Sequence, residues 1–143
     1  MGMVTREDIP TVSPGGCKLP LLTVCVTAGF PSPAEDYIDR NLDLNEYLIR
    51  HPAATFFMRV RGESMIGAGI HDGDLLIVDR ALAAKSGDVV VASVLGELTL
   101  KRLRRRDGKC LLVSANDAYP PIDVPEEADV HIWGVCKHVI HSV

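Results

Sequence analysis

Six short apolar runs, at residues 55–61, 74–79, 88–94, 97–103, 110–114 and 130–140, are separated by turns rich in glycine and aspartate. Runs of this length, closed off by turn residues, read as strands of a small all-β fold rather than as core helices. Leu95-Gly96 is a two-residue hairpin turn, and Asp72-Gly73-Asp74 and Asp107-Gly108 mark further reversals. For those aspartates a turn role outweighs an acid–base role. The expected architecture is mainly β, a compact core of folded-over hairpins. One short helix is expected near residues 43–49, with Asp43 as N-cap, Glu46 three residues on, and Pro52 closing it.

The first forty residues differ from the rest. Pro10, Pro14, Pro20, Pro31 and Pro33 fall there, with little apolar periodicity, so the segment reads as an extended arm rather than a packed element. At 143 residues the chain has length for one core of ordinary size.

Charge and cysteine usage exclude several classes. A net charge of −4 opposes a general grip on nucleic acid, and the basic run Lys101-Arg102-Leu103-Arg104-Arg105-Arg106 reads as the surface end of a hairpin. Cys17, Cys25, Cys110 and Cys136 form no CxxC pair and are too scattered for a secreted disulfide scaffold, so reduced thiols and a cytoplasmic location are expected. His131, Cys136, His138 and His141 contain metal-ligand types. On a strand, however, alternation sends His131 to one face and Cys136 and His138 to the other, so no metal is expected. The apolar stretch 19–28 ends in Val26-Thr27-Ala28, as export signals do, but Glu7 and Asp8 stand where a basic region belongs and Val24 where a lipoprotein signal needs a small residue. It is also far short of the roughly 20 apolar residues of a membrane helix.

The chemistry lies in Gly62-Glu63-Ser64-Met65 and Leu98-Thr99-Leu100-Lys101. A serine hydroxyl needs a base in hydrogen-bond reach to act as a nucleophile, and a lysine amine serves only when neutral. A solvated lysine is neutral in roughly one molecule in 2,500 at pH 7, so its pKa must be lowered by an apolar pocket. If 97–103 is a strand, Thr99 and Lys101 share one face and Leu98 and Leu100 the other, which fixes the direction of the amine. Gly62 permits a bend that lifts Ser64 off the sheet and aims the backbone N–H groups of Glu63 and Ser64 at a developing oxyanion. Taken alone, a serine after glycine is most often a turn residue, and a lone strand lysine a solvated charge.

Their spacing gives the pair its weight. Gly62-Glu63-Ser64-Met65-Ile66, then Gly69-Ile70-His71-Asp72-Gly73-Asp74-Leu75-Leu76-Ile77-Val78-Asp79, Gly87-Asp88-Val89-Val90-Val91-Ala92 and Leu98-Thr99-Leu100-Lys101-Arg102-Leu103 resemble the self-cleaving LexA-type serine peptidases. The likeness runs from about Leu19 to His138, and Gly29-Phe30-Pro31-Ser32-Pro33 followed by Asp36-Tyr37 is typical of the UmuD branch. The resemblance implies that Ser64 is the nucleophile, Lys101 the base, and Ala28-Gly29 the scissile bond. It divides the chain into an arm, residues 1–28, removed by self-cleavage, and a serine-lysine peptidase-like β domain, residues 29–143, of which 29–54 is linker and short helix. It further implies cutting promoted by a RecA filament in the SOS response to DNA damage, and a dimeric product that joins a UmuC-type translesion polymerase in error-prone repair. No cofactor, membrane or sequence-specific DNA contact is expected. Among the rivals, a LexA-like repressor has too little room in 28 residues for a helix-turn-helix reader. A signal peptidase shares the chemistry but requires an anchor. A non-catalytic binding module would carry Ser64 and Lys101 as relics.

Overall fold

The computed structural model describes residues 16–23, 25–31, 38–124 and 130–143; the side chains of 122–124 are not included. The expectations that concern residues 1–15, Val24 and the Ser32 to Tyr37 part of the arm motif lie outside the described residues.

The chain divides into two compact units, Met1–Tyr47 and Leu48–Val143. In the first, strand β1 (Lys18–Leu22) pairs antiparallel with β2 (Ile38–Asp43), with a register irregularity between Leu21 and Leu22. The part of the arm that forms β1 is extended and hydrogen-bonded along a ladder, a pairing that composition does not suggest. Every residue of β1 is solvent-exposed, so backbone pairing rather than apolar burial gives this ribbon its form. Helix α1 (Leu44–Leu48) follows at once, and Asp43 Oδ1 accepts the Asn45 N–H at 2.9 Å, the capping role its position predicts.

The second unit is one antiparallel sheet. Its strands are β3 (Thr55–Arg59), β4 (Leu75–Asp79), β5 (Val89–Val94), β6 (Glu97–Arg106), β7 (Lys109–Val113), β8 (Ile122–Val124) and β9 (Val130–Ile140), in the order β3-β4-β9-β5-β6-β7-β8. All six runs read from the sequence are strands. Leu95 and Gly96 have φ of 51° and 83°, and Asp107 and Gly108 of 53° and 76°, the double positive φ that lets a two-residue turn match the twist of its strands. The basic run ends at that second reversal, with Arg104, Arg105 and Arg106 exposed.

The longest strand, β9, lies between β4 and β5 and joins the two halves of the sheet. Its alternation feeds two apolar clusters. Cys136 packs with Met65, Ile70, Leu76, Val78 and Val91, whereas the adjacent Val135 packs with Val90, Ala92, Leu103 and Leu112. Neighbouring strand residues point to opposite faces, so the sheet is covered on both sides. Burial raises the Cys136 thiol to about 11, which makes it a core side chain rather than a reactive one. His131 and His138, by contrast, are exposed.

Two buried carboxylates bracket β4. Asp74 is 3% and Asp79 6% exposed. Burial opposes their ionisation, but hydrogen bonds outweigh it and hold both below the ordinary carboxylate range: the His71 N–H and His141 at Asp74, His51 and the Ala81 N–H at Asp79. Asp72 also does structural work, accepting the Gly62 N–H at 2.7 Å through Oδ1. The turn reading of Asp72 and Asp74 is thus extended: they fasten the long loop between β3 and β4 that carries Ser64.

Candidate active site

That loop leaves β3 at Arg59 and is clamped at its base, where the Val60 N–H donates to Asp74 O at 2.9 Å and the Gly73 N–H to Val60 O at 2.8 Å. At Gly62 φ is +96°, a conformation that glycine reaches without the steric penalty of a β-carbon. The chain bends there, and Ser64 follows two residues later. Met65 anchors the far side, 2% exposed in the core cluster.

Lys101 comes from the middle of β6, opposite Val90 of β5. It is 7% exposed, and burial lowers its pKa from the ordinary lysine value. Its Nζ donates to Ser64 Oγ at 3.0 Å. Two residues 37 apart in sequence therefore meet in hydrogen-bond contact, one on a strand and one on a clamped loop. Once the amine loses a proton, the same contact can run in reverse, with the serine O–H donating to the nitrogen lone pair.

The peptide between Glu63 and Ser64 is held by its carbonyl. Glu63 O accepts from Asn116 Nδ2 at 3.0 Å and from the Ile66 N–H at 3.2 Å. In a trans peptide the N–H points opposite to the carbonyl, so these two bonds orient the Ser64 N–H away from Asn116. Neither Asn116 nor Tyr119, whose ring centroid lies 5.7 Å from Lys101 Nζ, was among the residues singled out in the sequence. Asn116 also folds its own loop, accepting the Ala118 N–H at 3.1 Å. The only available signal was the turn-like Ser114-Ala115-Asn116-Asp117, which carries no motif spacing.

The loop of Asn116 makes one more contact with the Ser64 segment. The Gly67 N–H donates to Ala115 O at 2.6 Å, and a β-carbon at Gly67 would lie 2.5 Å from that oxygen. Gly67→Ala is therefore expected to force the two loops apart. The cost should be about 1–3 kcal/mol, read as a lower urea midpoint with unchanged slope, and reaction at Ser64 should slow along with it because the Asn116 bond is strained.

Beside Ser64 runs a groove of about 230 Å³ whose lining includes Met58, Gly62, Met65, Thr99 and Leu100. It is open and bounded by β3 and β6 residues, a shape that suits an extended peptide. In the first unit, Ala28 and Gly29 lie at an exposed bend in the stretch between β1 and β2, flanked by Val26 and Phe30 at 93% and 91% exposure. Among the described residues, no helix is long and apolar enough to cross a membrane.

The profile of the family described as Peptidase S24-like matches residues 20–137. The chain belongs to that family. The S24 match spans Ala28, Gly29, Ser64 and Lys101 alike. Individual relatives agree: protein MucA of Salmonella typhimurium is 46% identical over 122 residues, covering 85% of this chain and 83% of MucA. Protein SamA of Salmonella typhimurium strain LT2 is 47% identical over 133 residues, 93% of this chain and 92% of SamA. A LexA repressor of Ectopseudomonas mendocina is 37% identical over 137 residues, 92% of this chain and 66% of the repressor. The mainly β fold is that expected of an S24 chain of the LexA type.

Proposed function

We propose that this S24 chain is a self-cleaving serine peptidase of the SOS response that cuts its own Ala28-Gly29 bond, with Ser64 as nucleophile and Lys101 as general base. The observation that carries this reading is the 3.0 Å contact between Lys101 Nζ and Ser64 Oγ, with the lysine buried and its pKa lowered.

Neutral Lys101 takes the Ser64 proton as Oγ attacks the Ala28 carbonyl carbon. Negative charge builds on the carbonyl oxygen, where the N–H groups of Glu63 and Ser64 can stabilise it. The intermediate collapses as Lys101 passes the proton to the Gly29 nitrogen, which leaves as an amine; water then attacks the Ser64 ester, again with Lys101 as base, and releases the Ala28 carboxylate. Alanine and glycine suit the position because neither presents a side chain that holds the carbonyl away from the hydroxyl. Carrying the bond on its own chain gives the substrate a high effective concentration.

The arm, residues 1–28, is then the part removed, and 29–143 the product. In this reading the chain is cytoplasmic, a RecA filament on single-stranded DNA promotes the cut, and the dimeric product serves a UmuC-type translesion polymerase; the likeness to MucA and SamA supports this branch over a repressor.

The deciding experiment is a mass spectrum of the intact chain before and after incubation, once at alkaline pH alone and once with an activated RecA filament near neutral pH. Fragments ending at Ala28 and beginning at Gly29 are expected in both. A filament that leaves the neutral-pH spectrum unchanged overturns the SOS assignment, and fragments with other ends relocate the bond. Gly29→Val should slow the cut by about 100-fold or more, since a branched side chain disturbs the roughly 3 Å approach; equal rates would show that the arm is not the substrate. Without the filament, the rate should climb about tenfold per pH unit below the lowered pKa of Lys101 and level off above it, because only the neutral amine is a base. A rate that shows no rise with pH anywhere in the range where the chain stays folded removes lysine from that role.

A further inference from the structure

Away from Ser64, the loop between β3 and β4 meets the residues that follow β9 at His71, Asp74 and His141. The Asp74 carboxylate is 3% exposed. Its Oδ1 lies 2.6 Å from His141 Nδ1, and its Oδ2 accepts the His71 N–H at 2.8 Å and lies 3.8 Å from His71 Nδ1. The two imidazole rings face each other with centroids 4.7 Å apart at 34°. One donor atom from each residue lies within 4.8 Å of the other two. A separate observation points into the cluster: His71 Nδ1 is buried and has no hydrogen-bond partner. Such an atom normally costs free energy unless something occupies its lone pair or takes its proton.

We propose that His71, Asp74 and His141 bind one divalent ion of the zinc class. Two imidazole nitrogens and a carboxylate oxygen form a donor set suited to zinc, with a fourth position left for water. Bonds of 2.0–2.2 Å in a tetrahedron place ligand atoms about 3.3 Å apart, between the 2.6 Å and 3.8 Å separations recorded here. Seating the ion needs the His141 ring to retreat from Asp74, the His71 ring to advance, and the donor atoms, which lie within 4.8 Å of one another, to draw together. Both side chains are 44% exposed, so the rings can turn, which is what opens the buried His71 Nδ1 to an entering ion. Magnesium and calcium fit poorly, since they favour shells made of oxygen. The ion's role is structural: Asp74 O holds the base of the Ser64 loop through Val60, so the ion would fasten that loop to the end of the central strand.

The test uses the full chain, stripped of metal by a chelator, titrated with Zn²⁺ by calorimetry and with Co²⁺ by visible absorption. One ion per chain is expected, with a tetrahedral cobalt spectrum lacking thiolate charge transfer. His71→Ala and His141→Ala should each weaken binding by about tenfold or more, while the exposed His138→Ala leaves it unchanged. Zn²⁺ should raise the thermal midpoint of the wild type and of His138→Ala only. A thiolate band would assign the ion to cysteine, and unchanged affinity in both cluster variants would move the site elsewhere; either result overturns the proposal, as does the absence of binding. Should the alanine variants lose their β signal, protection of His71 and His141 from carbethoxylation by Zn²⁺ in the wild type, read by peptide mass, decides the matter, and lack of protection overturns it.

Discussion

Ser64→Ala protein is expected to give no Gly29-terminated fragment under conditions that convert the wild type completely. The change removes a single oxygen, the hydroxyl that lies 3.0 Å from Lys101 Nζ. Removing the nucleophile of a serine peptidase costs on the order of 10⁴-fold or more in rate, which for a reaction that occurs once per chain means no detectable product. Stability should move little, within about 0.5 kcal/mol, because no core volume is lost. The check is electrophoresis after prolonged alkaline incubation, with a urea melt alongside. Fragment from folded Ser64→Ala protein would exclude Ser64 as the nucleophile.

Lys101→Arg is expected to be as inactive as Lys101→Ala at every pH up to about 10, although it keeps the positive charge. A guanidinium stays protonated throughout that range and offers no lone pair. If Lys101 only positioned Ser64 through its hydrogen bond, arginine would preserve a donor and much of the activity. If it is the base, both variants fail together and the rise of rate with pH disappears. An arginine substitution at a residue 7% exposed also strains its surroundings, so the melt must show folded protein before the rate is interpreted. Folded and active Lys101→Arg chain would dismiss the general-base role.

The parts of this fold that were legible in the sequence are those with local causes. Each strand of the main sheet from β3 to β7, and β9, was announced by an apolar run between turn residues, and Leu95-Gly96 and Asp107-Gly108 closed hairpins as their composition required. What local chemistry does not encode is which strands become neighbours. That β9 lies between β4 and β5 depends on packing across the whole chain. The β1–β2 ribbon has no such signature, because its strands are largely exposed and Pro20 interrupts β1, so no alternation marks them; β8, at three residues, is too short to leave a pattern. At the candidate site, Ser64 and Lys101 were legible through the spacing of family motifs. Asn116 and Tyr119 were not, because a side chain that supports a site from a distant loop has no fixed spacing to it. His71 and His141 belong with these, since the sequence grouped His141 with its neighbours along β9 and the fold joins it instead to a loop some seventy residues earlier.

The β1–β2 ribbon bears on what happens after a cut. Ala28 and Gly29 lie in the stretch that connects two paired strands, so a break there nicks a loop without unzipping the ladder on either side. The two pieces would leave the reaction still bound to each other, and the shortened product would emerge only when its former leader peels away. Since a two-stranded ribbon alone is marginally stable in water, that separation should be fast when nothing else grips the leader and slow when a partner does. Hydrolysis and maturation would then be two events with separate clocks, and a denaturing gel would record only the first.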